Sequence, residues 1–297
     1  MDPPRIAVFS IPLISTWVFD DTHRILFDAG DGVTAMLDAR IHRIRMVALT
    51  HAHRDHCSGI LQLLNLTGKS GQQRLVYPEA SGALRALIGF LASFDTRSTG
   101  KVEFVPAKAG DTIPIEPARH FLRAFATDHY PEVAPPRQLS LGYQIVRYVD
   151  RLKPEFVSLS QTELDTLRRA HGREYITHTV EDVLVTITGD TSPLDPAAFV
   201  GSRVLLHECT FLDPAEKEEA DDEEHRHSTL DDALRIAAGA GVEFLGLYHV
   251  SRRYEDSAVL RMVRERCEAF RVPCRVSVAL PGRLYEDLFS QCVWDGR

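Results

Sequence analysis

The sequence predicts an α/β protein in which strands and helices are mixed from end to end. Three observations carry that reading. Short apolar runs such as Met46–Thr50, Val183–Thr188 and Phe244–Tyr248 have the length and composition of buried strands. Between them lie stretches with helical spacing of apolar residues, clearest over Ser81–Phe94. No linker, low-complexity segment or short repeat breaks the pattern. The 297 residues, 44% of them hydrophobic, are enough for a sizeable core, either as one large domain or as two ordinary ones; with no linker along the chain, a single domain over 1–297 is expected.

Taken in order, Arg5–Ile14 and Ile25–Asp28 read as strands, with Asp28-Ala29-Gly30-Asp31-Gly32 as a turn. Thr34–Ile41 reads as helical. Met46–Thr50 is a strand, Gly59–Leu66 a helix and Leu75–Tyr77 a strand. The helix Ser81–Phe94 precedes strands at Val102–Pro106 and His120–Thr127, the second ending near His129. Pro131-Glu132-Val133-Ala134-Pro135-Pro136 is the most loop-like stretch, placed beside the site. Gly142–Tyr148 is a strand, and Ser160–Ala170 a short helix with Ser160 and Glu163 positioned as a capping box. Val183–Thr188 and Val204–His207 are buried-type strands ending in polar residues. Ala215–Glu224 is an acidic surface run. Thr229–Ala240 and Ser257–Phe270 are helices, Phe244–Tyr248 and Cys274–Ala279 strands.

Composition narrows the class. No stretch approaches the roughly eighteen apolar residues of a membrane span, and the opening Met1-Asp2-Pro3-Pro4-Arg5 does not read as a signal peptide. Five cysteines, odd in number and without a C-x-x-C pair, argue for a reducing cytoplasm rather than a disulfide framework. A net charge of −8 argues against an extended nucleic-acid surface. It leaves room for a phosphate ester at a metal centre, where two divalent ions would add about +4.

The chemistry begins at Thr50-His51-Ala52-His53-Arg54-Asp55-His56, four potential ligands within six residues directly after a buried-type strand. Their alternating spacing suits a loop feeding two adjacent metals, although a His-rich loop can also be merely solvated. His129, Asp190 and His249 each terminate a later predicted strand, a placement where functional residues often sit. Taken singly, His129 also fits a structural histidine, and Asp190 a turn or helix cap.

The order and context of these segments resemble the metallo-β-lactamase superfamily, and within it ribonuclease Z and its phosphodiesterase relatives. The matching pieces are Phe27-Asp28-Ala29-Gly30-Asp31-Gly32, the His51–His56 loop, His129 with Leu141-Gly142-Tyr143, and Thr188-Gly189-Asp190-Thr191. Next come Leu206-His207-Glu208-Cys209-Thr210-Phe211, His227-Ser228-Thr229 and His249-Val250-Ser251-Arg252-Arg253-Tyr254. The last three point toward ribonuclease Z in particular. The resemblance implies a four-layer αββα sandwich, two sheets face to face with helices outside both. It implies two divalent metals, zinc or else manganese. His51, His53 and His129 would hold one, Asp55, His56 and His249 the other, and Asp190 would bridge. A hydroxide between the metals would attack phosphorus in line. Asp55, Glu208 and His227 are the implied catalytic residues, His227 donating a proton to the leaving oxygen and Glu208 orienting it. Arg253, assisted by Ser251, would hold a phosphate oxygen. The implied substrate is a phosphodiester, RNA or a small molecule, and the implied assembly a homodimer.

The chain departs from ribonuclease Z in two places. Phe9-Ser10-Ile11-Pro12 stands where a glycine-rich opening is typical. The span between Tyr143 and Val183 is too short and too acidic for the arm that grips tRNA. It offers only the Ser160–Ala170 helix and scattered Lys153, Arg168, Arg169 and Arg173, so that arm is expected to be reduced or absent. His23, His42, His120, His171 and His178 lack matching context and read as surface or structural, and so does His225. His227, read by residue alone, also fits a solvated position. Cys57 and Cys209 fit small buried side chains better than ligands. Two other functions share the same residues: a carbon-centred hydrolase such as a lactonase, thioesterase or β-lactamase, and a non-catalytic nucleotide- or nucleic-acid-binding protein.

Overall fold

Apolar residues on both faces of the strands dictate how this chain stacks. Along β1 (Ile6–Ile11), Ile6 and Val8 point one way and Ala7 and Phe9 the other, and all four are buried. A strand that is apolar on both faces needs cover on both, so its sheet must lie inside the molecule. The computed structural model, which describes residues 3–71, 73–130, 137–219 and 226–296, shows how that cover is supplied.

The first sheet runs in chain order: β1, β2 (Ser15–Asp20), β3 (Ile25–Phe27), β4 (Met46–Ala48), β5 (Arg74–Pro78) and β6 (Glu103–Ala107). β1 to β3 pair antiparallel, and β3 to β6 parallel. The second sheet also follows chain order: β7 (Thr112–Ile115), β8 (His120–Ala126), β9 (Leu141–Leu152), β10 (Thr177–Ile187), β11 (Ser202–Glu208), β12 (Phe244–Tyr248) and β13 (Arg275–Val278). It is antiparallel from β7 to β10 and parallel from β10 to β13.

Inner faces meet in one apolar cluster that draws Val8, Phe27, Met46, Leu122, Tyr143, Ile187 and Leu206 from both sheets. The outer face of the first sheet, with Phe9, Trp17, Val47 and Leu75, packs on Leu63, Leu84 and Leu91 of its helices. Those helices are α1 (Val33–Leu37), α2 (Arg54–Cys57), α3 (Ile60–Thr67), α4 (Gly82–Phe94) and α5 (Thr96–Thr99). Two short helices, α6 (Gln161–His171) and α7 (Arg173–Ile176), lie between β9 and β10. On the far side, Leu205, Leu245 and Val276 pack on Ala233, Leu234, Val259 and Val263. These come from α9 (Leu230–Ala240) and α10 (Asp256–Phe270), which follow the short α8 (Pro214–Glu219). The result is helix, sheet, sheet, helix, the four layers expected. Each fully buried leucine or valine contributes roughly 1.5–3 kcal/mol. Among the described residues no helix is long and apolar enough to cross a membrane.

Several elements differ from their predicted spans. Arg5–Ile14 is not one strand: β1 ends at Ile11, the chain turns through Leu13 at φ 68, and β2 returns beside it. The turn residues Pro12 and Leu13 carry no glycine or asparagine to announce it. β7 went unpredicted because Pro114 reads as a strand breaker; it is tolerated on an edge strand. Of the predicted helix Thr34–Ile41, only the part up to Leu37 is α-helical; a tighter turn carries on to Arg43. β9 and β10 run on as a polar hairpin, Arg147–Leu152 against Thr177–Asp182. There Arg119–Asp150 and Arg147–Asp182 pairs take the place of apolar packing. The capping box of Ser160 and Glu163 forms as expected, and Thr229 with Asp232 makes a second one. The Pro131–Pro136 loop, His225 and residues 220–224 of the acidic run lie outside the described residues; Pro214–Glu219 is helical.

Candidate metal centre

Parallel strands that all end on one side of a sheet bring their following loops together. β4 delivers Thr50 and His51, and the short α2 carries Asp55 and His56 back under them. From the other sheet, β8 leads to His129, β10 to Asp190 and β12 to His249. Close approach is bought with glycine at two points. A Cβ on Gly30 would lie 2.3 Å from the Asp55 carbonyl oxygen and 2.5 Å from the Thr16 nitrogen. Gly189, at φ +66, sits so near Thr50 that a Cβ would meet its side chain at 2.8 Å.

The seven residues predicted as ligands converge. His51, His53, His129 and Asp190 form one group, and Asp55, His56 and His249 another; within each, the donor atoms lie within 4.8 Å of one another. His129 Nε2 is 3.2 Å from His53 Nδ1, and His56 Nε2 is 3.4 Å from His249 Nε2. Asp190 Oδ2 stands between the groups, 3.8 Å from His51 Nε2, 3.3 Å from His56 Nε2 and 3.4 Å from His249 Nε2. Asp55 Oδ2 is 3.6 Å from the Nε2 atoms of both His56 and His249.

The far nitrogens explain why the near ones face inward. His56 Nδ1 is 2.7 Å from Asp28 Oδ2, and His129 Nδ1 is 2.9 Å from the Arg226 carbonyl oxygen. His51 Nδ1 is 2.9 Å from Thr50 Oγ1, and His249 Nδ1 is 3.0 Å from Thr210 Oγ1. Donation from Nδ1 to these oxygens leaves a lone pair on Nε2, the form in which imidazole binds metal. Burial pushes His51 well below the usual histidine range, helped by its imidazole neighbours, and takes His129 down to about 3. Burial alone would lower His56 too, but Asp190 and Asp28 outweigh it and hold this ring well above the usual value. Burial also works against ionising Asp190, yet His249 and His56 keep its carboxyl well below the usual range.

Whether this cradle fits a metal is tested by its loose ends. His51 Nε2 and Asp190 Oδ1 are buried and without hydrogen-bond partners. Buried polar atoms seldom go unpaired. Both belong to a cluster of imidazoles and carboxylates, a donor set suited to divalent ions such as zinc.

Beside the cradle, Glu208 is fully buried and anchored from several sides. Its oxygens accept from the backbone nitrogens of Thr191 (3.2 Å), Thr210 (2.9 Å) and Ser228 (2.8 Å), and from Thr210 Oγ1 (2.8 Å). His227 Nδ1 lies 3.0 Å from Glu208 Oε1. Burial opposes the charge on Glu208, but His227, and after it His249, lower its pKa overall. The His227 ring is 5.0 Å from that of His129 and stacks 5.5 Å from that of His249. Arg253 and Ser251 stand further out. The Arg253 guanidinium is exposed, lies 5.3 Å over the Phe211 ring and donates from Nε to Ser251 Oγ at 3.2 Å.

Four contributors carry no role in the sequence reading. Asp28 and Thr210 orient histidines of the cluster, and the place of Asp28 at the end of a predicted strand is the signal that could have found it. Tyr130 packs its ring 5.0 Å from His129 and 5.6 Å from His53. The Leu13 nitrogen, at the β1–β2 turn, donates to Asp55 Oδ2 at 2.8 Å, a contact that no local pattern announces. The histidines read as structural stay out of the cluster: His23 is buried against Asp20, and His42, His171 and His178 are exposed. Cys57 and Cys209 are buried, and burial raises the Cys57 thiol to about 11.

Comparison with known proteins agrees with this geometry. The model of the β-lactamase superfamily domain matches residues 23–152. The chain is 32% identical over 255 residues to a ribonuclease Z of Gemmatimonas aurantiaca, covering 77% of each protein. It is 29% identical over 264 residues to a ribonuclease Z of Saccharolobus solfataricus, covering 81% of this chain and 83% of that one. Among solved structures, the metallo-β-lactamase fold protein YhfI of Bacillus subtilis superposes with a TM-score of 0.61 at 17% identity, over 96% of this chain and 99% of that one.

Proposed function

We propose, since this chain belongs to the metallo-β-lactamase superfamily and is a metal-dependent hydrolase, that its substrate is a phosphodiester, either an RNA 3′ end or a small diester. The observation that carries the phosphodiester reading is the Glu208–His227 contact of 3.0 Å at the rim of the metal cradle. A carbon-centred hydrolase needs the ligands but has less use for an acid held there.

In this reading His51, His53 and His129 hold one divalent ion, Asp55, His56 and His249 a second, and Asp190 faces both. Two such ions, zinc or manganese, would supply activation of a nucleophilic water at neutral pH and a sink for charge on the phosphoryl oxygens. The chain's own residues do the rest. Glu208, ionised by its ring of donors, accepts from His227 Nδ1 and fixes the imidazole's orientation. That leaves His227 Nε2 to carry a proton to the departing oxygen. Asp55, held by Leu13 N and both neighbouring histidines, keeps the second group of donors in place while charge shifts. Arg253, with Ser251 bracing its Nε, is an exposed cation able to swing from Phe211 onto a non-bridging phosphate oxygen.

The test uses leaving groups of different basicity. His227→Ala, with metal content retained, should slow cleavage of a short RNA by about 10²–10⁴-fold. Bis(p-nitrophenyl) phosphate, whose leaving group needs no proton, should lose less. Equal rates for variant and parent on RNA would remove His227 as the acid. Activity on lactones or thioesters without diesterase activity would favour carbon-centred chemistry. A 3′-extended tRNA precursor should not be preferred over unstructured RNA, because only α6 and α7 occupy the place of a gripping arm. We read the chain as one domain, supported by an inner core that draws on residues from Ile6 to Leu288. The same reading makes it a homodimer, checked by sedimentation, and cytoplasmic, in keeping with its five free cysteines.

A further inference from the structure

The acidic run after β11 contains one basic residue between Pro214 and Glu224, Lys217. A lysine among carboxylates on a surface helix would ordinarily pair with one of them in solvent. Lys217 does otherwise. It is half-buried, and its Nζ donates to the main-chain oxygen of His227 at 2.5 Å. Among the described residues it makes no ion pair. Its neighbour Glu216 is engaged as well, its carboxylate accepting from the Tyr254 hydroxyl. That hydroxyl in turn accepts from Leu212 N at 3.2 Å. Two successive residues of α8 thus tie this short helix to both outer segments of the site, to His227 and to Tyr254 beside Arg253.

The main chain around His227 is held at three consecutive residues. Arg226 N donates to His129 O at 3.0 Å, and Arg226 O lies 2.9 Å from His129 Nδ1. Ser228 N donates to Glu208 Oε1 at 2.8 Å, and Ser228 Oγ to Thr191 O at 2.8 Å. These partners all belong to the cradle and its immediate support. The tie on His227 O comes from outside it, from Lys217. His227 O and Ser228 N are two ends of one planar peptide unit, and in a trans peptide they point in opposite directions. Glu208 therefore holds that unit by its N–H while Lys217 holds it by its C=O. Turning the unit about its long axis breaks one contact or the other.

We propose that Lys217 is a positioning residue for the acid, clamping the His227–Ser228 peptide from the side opposite Glu208. The inference rests on the reading of His227 as the proton donor. The contact of 3.0 Å between His227 Nδ1 and Glu208 Oε1 aims the imidazole, but it acts at one edge of the ring. Where Nε2 ends up depends also on where the main chain sets the Cα atom. A proton donor must come within about 3 Å of the departing oxygen, and small errors of placement are costly in rate. Lys217 carries no proton to the substrate; it acts through His227 alone.

The test follows cleavage by the metal-loaded full-length protein of a short RNA and of bis-aryl phosphates from p-nitrophenyl to phenyl. Along that series the leaving group needs a proton more and more. Lys217→Met keeps the length of the side chain and loses the cation. It should slow RNA cleavage by about tenfold or more and leave bis(p-nitrophenyl) phosphate nearly unchanged, so that rate falls more steeply with leaving-group basicity. Lys217→Arg, which keeps a charged donor, should recover most of the loss. Lys217→Met added to His227→Ala should cost nothing further, because the residue it positions is gone. Glu218→Ala, exposed on the same helix, should match the parent. Lys217→Gln serves should Lys217→Met fold poorly, with circular dichroism and metal content reporting on each variant. Parental leaving-group dependence in the folded Lys217 variant, while His227→Ala steepens it, overturns the proposal and leaves the acid in place. An equal loss on every substrate, or a full further loss in the double variant, marks a merely structural lysine and overturns it too. Should His227→Ala itself leave the leaving-group dependence unchanged, the acid reading falls first and this inference falls with it.

Discussion

Asp28→Asn should weaken metal binding without disturbing the fold. Asp28 lies outside the proposed ligands, yet its carboxylate accepts from Thr50 N at 2.7 Å and from Thr50 Oγ1 at 2.9 Å, and faces His56 Nδ1 at 2.7 Å. Asparagine has the same shape and tolerates the left-handed backbone found here, φ 58. Only the hydrogen bonding changes. If the amide oxygen stays on Thr50 N, the NH2 group confronts the N–H of His56 Nδ1. To relieve that clash the ring moves its proton to Nε2, the nitrogen 3.3 Å from Asp190 and 3.4 Å from His249. A protonated Nε2 cannot ligate. Partners of this kind are typically worth about 10–100-fold in metal affinity, or roughly 1.4–2.8 kcal/mol. The loss should fall on the ion held by Asp55, His56 and His249 and spare the other. Competition against a chromophoric chelator would resolve two affinities, with circular dichroism to confirm folding. A folded Asp28→Asn protein that binds both ions as tightly as its parent would refute the idea that this carboxylate sets the His56 tautomer.

Gly30→Ala should destabilise the protein by about 1–3 kcal/mol or more, since overpacking here meets backbone atoms that cannot rotate away; chemical denaturation measures it. Chelation should lower the melting temperature, and saturating zinc at a hundredfold over its dissociation constant should restore about 2.7 kcal/mol. A melting point indifferent to metal would mean that the cradle is empty in solution. Asp150 gives a pH signature. Hydrogen bonds from Arg119 and Thr179 hold its carboxyl well below the usual range. Its contribution is therefore present above the unfolded pKa and lost as pH falls through the lower, folded one. Wild type should out-melt Asp150→Asn at neutral pH, and the gap should close only in strong acid.

The sequence by itself determined the parts whose physics is local. Runs such as Val204–Leu206 are apolar at every position because both faces of their sheet are covered, and that marks them as buried strands before any partner is known. Ser160 and Glu163, three residues apart, cap a helix wherever it lies. Four potential ligands within His51–His56 point to a metal loop by chemistry alone, and family resemblance extended that loop to His129, Asp190 and His249.

Tertiary structure decided what depends on separate segments meeting. Asp28 and His56 are 28 residues apart, and Leu13 and Asp55 are 42 apart; no periodicity links them. The turn that lifts Leu13 over Asp55 contains neither glycine nor asparagine, so the strand expected from Arg5 overruns it to Ile14 and β2 goes unannounced. β7 hid behind Pro114 because an edge strand can spare the hydrogen bond that proline lacks.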